Sequence, residues 1–391
     1  MITISDKSKC CGCSACASAC PTHCIAMEKD EEGFKYPKVN AEKCIKCGIC
    51  ERVCPFIKCE ETKGSESAFA AYALNDDIRV KSSSGGVLTV LAEEVLRKNG
   101  LVYGVSMSND CRSCGFICVD SVNDISNIRG SKYIQADVDC IYREVEQKLK
   151  ENRCVLFSGT PCQCNGLKKY LRVEYDNLLT VDFVCHGVPS QMLWDKYVSH
   201  IAEVKKIRIN AVDFRYKKVS WNKFGFGLKS NKACVYIPKD SSSYFCFFMK
   251  NLSLRPSCYN CKAKKTRFAD ITIGDFWGIE RIFSKVDTEK GVSLIIPRTK
   301  KGYEFIGLIS DHLWLQKTEY VKAVADNMAE NSSVVCPENR RRFFEDAVSM
   351  NYSDLENKYL YPSFKLRVKK VLIRYDLWKY VENIRGGNEQ I

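Results

Sequence analysis

The 391-residue sequence has no apolar run that approaches the length needed to span a bilayer. Its N-terminus, MITISDKSKCC, lacks the basic flank and apolar core of a secretory signal. These absences predict a protein that is not transmembrane and that works in the cytoplasm. No nucleic-acid-binding module is recognisable, although 60 Lys and Arg against 47 Asp and Glu leave a formal net charge of +13. The excess is spread along the chain and is densest near its end. A basic surface for an acidic partner or an anionic cofactor accounts for it, and nucleic acid is not expected.

Cysteine is not scarce: there are 24. In a small secreted chain such a number would mean disulfides. Here eight of them follow one spacing written twice. Cys10, Cys13, Cys16 and Cys20 precede Pro21; Cys44, Cys47, Cys50 and Cys54 precede Pro55. This is the C-x2-C-x2-C-x3-C-P run that holds cubane iron–sulfur clusters in bacterial ferredoxins, with the fourth cysteine of each run serving the other cluster. One [4Fe–4S] cluster is therefore assigned Cys10, Cys13, Cys16 and Cys54, and the other Cys44, Cys47, Cys50 and Cys20. Zinc modules more usually pair two C-x2-C knuckles. Thiolate ligation of this kind requires a reducing compartment. Cys11, Cys24 and Cys59 fall outside the pattern and read as spare or buried thiols, with Cys11 able to substitute locally for its neighbour. Between the runs, Asp30-Glu31-Glu32-Gly33 reads as the turn of a hairpin. A first domain spans 1–62.

From Ala68 the pattern becomes strand, loop, helix, strand: AFAAYAL, the loop ending in Ser82-Ser83-Ser84-Gly85-Gly86, then VLTVLAEEVLRKNG closed by Gly100, then LVYGVSM. The serine–glycine loop at a helix N-terminus suits a phosphate or pyrophosphate, and equally a plain N-cap. Arg129 to Tyr133 offers donors and an aromatic face. Cys111, Cys114 and Cys118 read as structural residues of a hairpin. A buried strand ends in Gly159-Thr160-Pro161-Cys162, which puts Cys162 at a helix N-terminus, where a thiolate is favoured. A second strand ends in Cys185-His186, and Cys258-x2-Cys261 follows. Those four thiols suit a third cubane cluster or a zinc ion, with a redox dithiol at Cys258 and Cys261 as the remaining reading; spacing alone leaves the three open. Asp275 closes another strand, a common place for cofactor-binding residues and also for turn formers. The second domain spans 68–335. The region 336–391 reads as helical and basic, with Lys365, Arg367, Lys369, Lys370, Arg374 and Lys379. It suits peripheral membrane contact, a partner subunit, or packing on its own domain.

Taken in order, SSSGGVLTVLAEEVLRKNGLVYGV, RGSKYIQADV, VLFSGTPCQCNGL, VDFVCHGVPS, CYNCKAKKTRFADITIGDFWGI and GVSLIIPRTKKG resemble the beta-subunit family of coenzyme F420 hydrogenase and dehydrogenase, with a ferredoxin-like domain in front. The resemblance implies an α+β protein: a 2[4Fe–4S] ferredoxin-like domain, then an α/β FAD-binding domain with a mixed sheet, then a helical tail. It implies an iron–sulfur flavoprotein oxidoreductase that exchanges hydride with coenzyme F420 or another small molecule. By the same resemblance Cys162, Cys185, Cys258 and Cys261 would hold a third [4Fe–4S] cluster. Ser84, Gly85, Gly86, Ser131, Lys132 and Tyr133 would line the flavin, with Thr160 and Gln163 nearby. Asp275, His186 and Lys132 are candidates for charge and proton management there. Expected partners are a one-electron carrier or redox subunit and a small hydride donor or acceptor. A non-catalytic electron-transfer subunit is the alternative reading.

Overall fold

The duplicated cysteine run folds as two like halves joined by a hairpin. In the computed structural model, which describes residues 1–57, 61–62, 64–231, 233–361, 368 and 371, β1 (Ile25–Lys29) pairs antiparallel with β2 (Lys35–Val39), Ile25 opposite Val39. Asp30 shapes the turn: its Oδ1 accepts from the N–H groups of Glu32 and Phe34 at 3.1 and 2.9 Å. Each run is entered through two left-handed residues at equivalent positions, Gly12 and Ser14 in one, Lys46 and Gly48 in the other. A single helical turn follows in each, Ala15–Ser18 and Ile49–Arg52.

The rest of the chain is built on an eight-stranded mixed sheet. Its strands are β3 (Ser67–Ala73), β4 (Leu101–Met107), β5 (Cys114–Val119), β6 (Val155–Ser158), β7 (Leu178–Phe183), β11 (Ile271–Asp275), β12 (Ser293–Pro297) and β13 (Leu313–Glu319), in the order β13-β3-β12-β11-β7-β6-β4-β5. A smaller antiparallel sheet takes the intervening strands β8 (Ala211–Tyr216), β9 (Gly225–Lys229) and β10 (Cys234–Pro238). In the large sheet β4, β6, β7 and β11 run parallel, and the flanking pairs are antiparallel. Central strands read as unbroken apolar runs because both faces are covered; every residue of β6 and β12 is buried.

One face is covered by the helix Val87–Arg97, which buries Val87, Val90, Leu91 and Val95. Its end departs from expectation. The left-handed residue is Asn99, not Gly100, whose N–H instead closes on Val95 O at 2.9 Å. Gly100 is small for a different reason: a Cβ there would lie 2.5 Å from Val95 Cγ1.

The other face carries the helices Ile141–Lys150 and Pro161–Leu171 and, against them, the cysteine-rich N-terminal lobe. Cys11, Cys13, Phe34, Val53 and Phe56 share one apolar cluster with Tyr103, Phe157 and Leu167, so the lobe is packed into the core. Arg143 donates to Ser18 O and Ala17 O, and Arg340 forks onto Glu32 at 3.0 and 2.6 Å. Gly166 makes one of the close approaches, since a Cβ there would lie 2.9 Å from the Tyr142 hydroxyl and 3.0 Å from Cys13 Cβ. In an ordinary helix interior Gly-to-Ala stabilises by about 0.5–1 kcal/mol. At Gly166 the sign is expected to reverse. Gly166→Val should cost about 1–3 kcal/mol by overpacking, read as a lower thermal midpoint of the anaerobic protein; a stabilised Gly166→Ala protein would contradict this packing.

Beyond 335 the helices Arg340–Ser349 and Tyr352–Leu360 pack on the body. The basic stretch holding Lys365, Arg367, Lys369, Lys370, Arg374 and Lys379 lies outside the described residues, as does Cys59. Among the described residues no helix is long and apolar enough to cross a membrane.

Candidate functional site

Every cysteine among the described residues is a free thiol, and the twelve with ligand spacing gather in three places. The first gathers Cys10, Cys13 and Cys16 with Cys54 from the second run. Burial, then Cys13, Cys10 and Cys54, push the Cys16 thiol up. Burial, with Cys13 and Cys10, pushes Cys54 up to about 11. The second is a recess lined by Cys44, Cys47, Cys50, Cys20 and also Cys24. Cys24 Sγ lies 3.4 Å from Cys20 Sγ, so a thiol that spacing left aside stands within this group.

The third place is assembled by the sheet. Cys162 and Cys185 leave the carboxyl ends of the neighbouring parallel strands β6 and β7, where α/β folds collect functional groups. Cys258 and Cys261 come up against them from a short helical turn. Burial, then Cys261, Cys185 and Cys162, raise the Cys258 thiol; burial, then Cys162 and Cys185, bring Cys261 to about 12. Cys162 differs. A hydrogen bond from Cys11 draws it down to about 7 against burial. Thr160 and Gln163 form a capping box at the head of its helix, and Thr160 Oγ1 lies 3.2 Å from Cys162 Sγ.

In the first and third places the thiols oppose one another's deprotonation, and a bound metal core would relieve that opposition. Among the described residues no three His, Cys, Asp or Glu side chains close in as a site for a single metal ion. A four-iron core keeps its thiolates farther apart than one zinc ion does, and the donor set is all sulfur, which fits a cubane cluster.

A basic, aromatic cluster of side chains adjoins this arrangement through Asp275, at the carboxyl end of β11 next to β7. Asp275 Oδ2 pairs with Arg215 at 3.0 Å, and its Oδ1 accepts from Trp221 Nε1 at 2.9 Å. Trp221 stacks on Trp277 with ring centres 4.6 Å apart. Arg215 is buried, and its Nε has no hydrogen-bond partner. Burial works against the Arg215 charge, but Asp275 and Tyr133 outweigh it. Lys217, with Nζ on Ser84 O and Arg79 O, is drawn down to about 7 by burial and by Arg215.

The flavin candidates divide. Ser84 donates to Val292 O, Gly85 N–H donates to Ser293 Oγ, and Gly86 opens the helix with φ +93°. Ser131 N–H donates to Ser83 Oγ at 2.7 Å, closing the serine loop on the Arg129–Tyr133 turn. Tyr133 aims its ring inward among Phe214, Phe245 and Phe248, and only its hydroxyl reaches Arg215. Lys132 Nζ caps Ile128 O and Arg129 O, and burial draws it to about 8. Gln163 donates to Ala136 O. His186 bonds Asn251 Oδ1 at 2.8 Å, apart from the other two proton candidates. Arg215, Lys217 and Trp221 escaped sequence reasoning. Their one signal is the alternation in DFRYKKVSW, which also reads as an ordinary strand.

All-sulfur ligand sets lying beside a mixed α/β sheet define an iron–sulfur redox protein of oxidoreductase type. The chain belongs to the coenzyme F420 hydrogenase/dehydrogenase beta-subunit family: the model of that family's N-terminal part matches 68–139, that of its C-terminal part matches 152–322, and a 4Fe-4S dicluster domain matches 9–57. It is 24% identical over 315 residues to a coenzyme F420-dependent sulfite reductase of Methanocaldococcus jannaschii, covering 77% of this chain and 46% of that protein, about half its length. It is 35% identical over 81 residues to NADH-quinone oxidoreductase subunit I 2 of Geobacter metallireducens, covering 19% of this chain and 60% of that one. A solved chain of the F420-reducing [NiFe] hydrogenase complex of Methanosarcina barkeri aligns at a TM-score of 0.45 and 15% identity, over 78% of this chain and 95% of that one.

Proposed function

We propose that the protein is an FAD-dependent iron–sulfur oxidoreductase that takes or gives electrons singly at the N-terminal lobe and exchanges hydride with coenzyme F420 or another small molecule. One observation carries this reading: the buried Cys11 thiol reaches both Cys13 of the first thiol set and Cys162 of the third, so the sets adjoin. At the opposite end Cys47 is exposed beside Ile45, where a one-electron carrier or redox subunit can approach. FAD, when bound, supplies the conversion between one-electron and hydride chemistry.

The chain's own part is to bind, orient and shield. Ser82 and Gly85 donate their N–H groups to Arg79 O and Ser293 Oγ, so the groups left for a pyrophosphate are those of the first turn of the eleven-residue helix that follows Gly86. Arg215, with its unpaired buried Nε, adds positive charge, and the stacked Trp221 and Trp277 form an aromatic wall. Cys162, Cys185, Cys258 and Cys261 would hold the inner cluster. Among the proton candidates Asp275 fits best, because it fixes Arg215 and Trp221 together. Lys132 is occupied with carbonyls and His186 with Asn251. We retain 1–62, 68–335 and 336–391 as the working domain division.

Anaerobically reconstituted protein should contain about twelve irons per chain, four for each of three cubane clusters, and one extractable FAD. About eight irons would remove the inner cluster from this reading, and protein that binds no flavin would leave an electron-transfer subunit in its place.

A further inference from the structure

The two cysteine runs share a pair of left-handed positions, and the first of these differs in a telling way. It is Lys46 in the outer run and Gly12 in the inner one. Gly12 has no room for a side chain. A Cβ there would lie 2.8 Å from Arg255 Nη1 and 3.0 Å from Gln135 Nε2. The space is taken by a guanidinium with no solvent exposure, supplied by the segment that leads into Cys258. Arg255 Nε donates to Cys10 O at 2.8 Å and Nη2 to Lys35 O at 2.9 Å; Nη1 donates to Gln135 Oε1 at 3.1 Å. Nη2 also lies 3.7 Å from Cys10 Sγ. The charge sits over the Tyr36 ring at 4.3 Å, and Arg255 forms no ion pair with a carboxylate among the described residues.

From this we infer that Arg255 is a positioning residue that sets the reduction potential of the cluster held by Cys10, Cys13, Cys16 and Cys54. The inference rests on the cluster reading above. A buried positive charge without a carboxylate partner, close to a ligand sulfur, favours the reduced, more negative form of a cluster. Net charge and hydrogen bonds to sulfur are the levers by which proteins set such potentials. The second thiol set has a guanidinium too, Arg52, whose Nη1 donates to Cys47 O at 3.1 Å, but Arg52 and the Lys46 side chain are both exposed, so water screens their charge as it cannot screen Arg255. The arrangement therefore makes the inner of the two lobe clusters the easier to reduce. Electrons entering at the exposed run are drawn toward the core.

The test is an EPR-monitored potentiometric titration of anaerobically reconstituted full-length protein, with the relevant wave identified as the one altered in Cys16→Ser. In Arg255→Gln that wave should move to lower potential by at least a tenfold change in the reduced-to-oxidised ratio, about 59 mV for one electron. Arg340→Met, which removes a lobe clamp facing none of the twelve candidate ligand thiols, should leave it in place. Wild-type protein with no cluster wave altered by Cys16→Ser would mean that the cluster reading itself has failed. A wave present in wild type and unmoved in Arg255→Gln would overturn the tuning role alone. If the Gln variant is short of iron, Arg255→Lys decides: full iron with the wave near its wild-type position supports the charge, whereas lost iron or a wave shifted downward assigns Arg255 to holding the lobe only.

Discussion

Cys258→Ser is expected to remove about four irons per chain, one cubane's worth, while the other eight stay in place. Cys258 faces Cys261, Cys185 and Cys162, and burial and those neighbours raise its thiol. A serine hydroxyl is a poor ligand for the same iron, and the remaining three thiols offer no closed set. The eight cysteines of the two runs do not depend on Cys258. Iron and sulfide counts with EPR of the reduced protein decide the matter: full iron in the variant would show that the inner thiols hold no cluster. Cys111→Ser is the control. That thiol is buried in the turn between β4 and β5, away from the three sets, and its loss should leave iron unchanged.

Arg267→Met should be among the most destabilising single changes in the chain, by about 3–5 kcal/mol. Arg267 bridges Asp182 and Glu330 at 3.0 Å each, and the three side chains are 3%, 0% and 1% exposed. Thr272 donates to the other Asp182 oxygen, and Arg298 pairs with the second oxygen of Glu330, so the cluster ties β7, β11 and the chain after 327 together. Removing the guanidinium strands carboxylate charge in the core. The loss should be read as a lower midpoint in chemical denaturation of the anaerobic protein. A deficit below about 1 kcal/mol, typical of exposed pairs, would mean that water reaches the site.

What the sequence made legible was local. The double run announces itself because ligands of one cluster lie two or three residues apart. The Asp30–Gly33 turn, the helix starting at Pro161 and the strands ending before Cys162 and Cys185 follow from short-range patterns, and the structure has them where expected. Direction and distance were not legible. Tyr133 reads as an aromatic face for the flavin, yet its ring turns into the aromatic cluster. Arg255 and Arg215 carry no spacing signature, because the groups they serve lie about 245 and 60 positions away in the chain. Cys24 looked spare because its importance depends on where the hairpin folds. The segment 191–257, which yielded no motif, supplies the small sheet and the buried Arg215 and Arg255.

The parallel centre of the large sheet also works as a ruler. Asp275, Cys185 and Cys162 hang from the ends of β11, β7 and β6, three strands side by side. Neighbouring strands stand about 4.8 Å apart whatever side chains they carry. The separation between the cluster around Arg215 and the inner thiols is thus a property of backbone hydrogen bonding. Loops above it can lengthen, and surface residues can drift, while that spacing stays fixed.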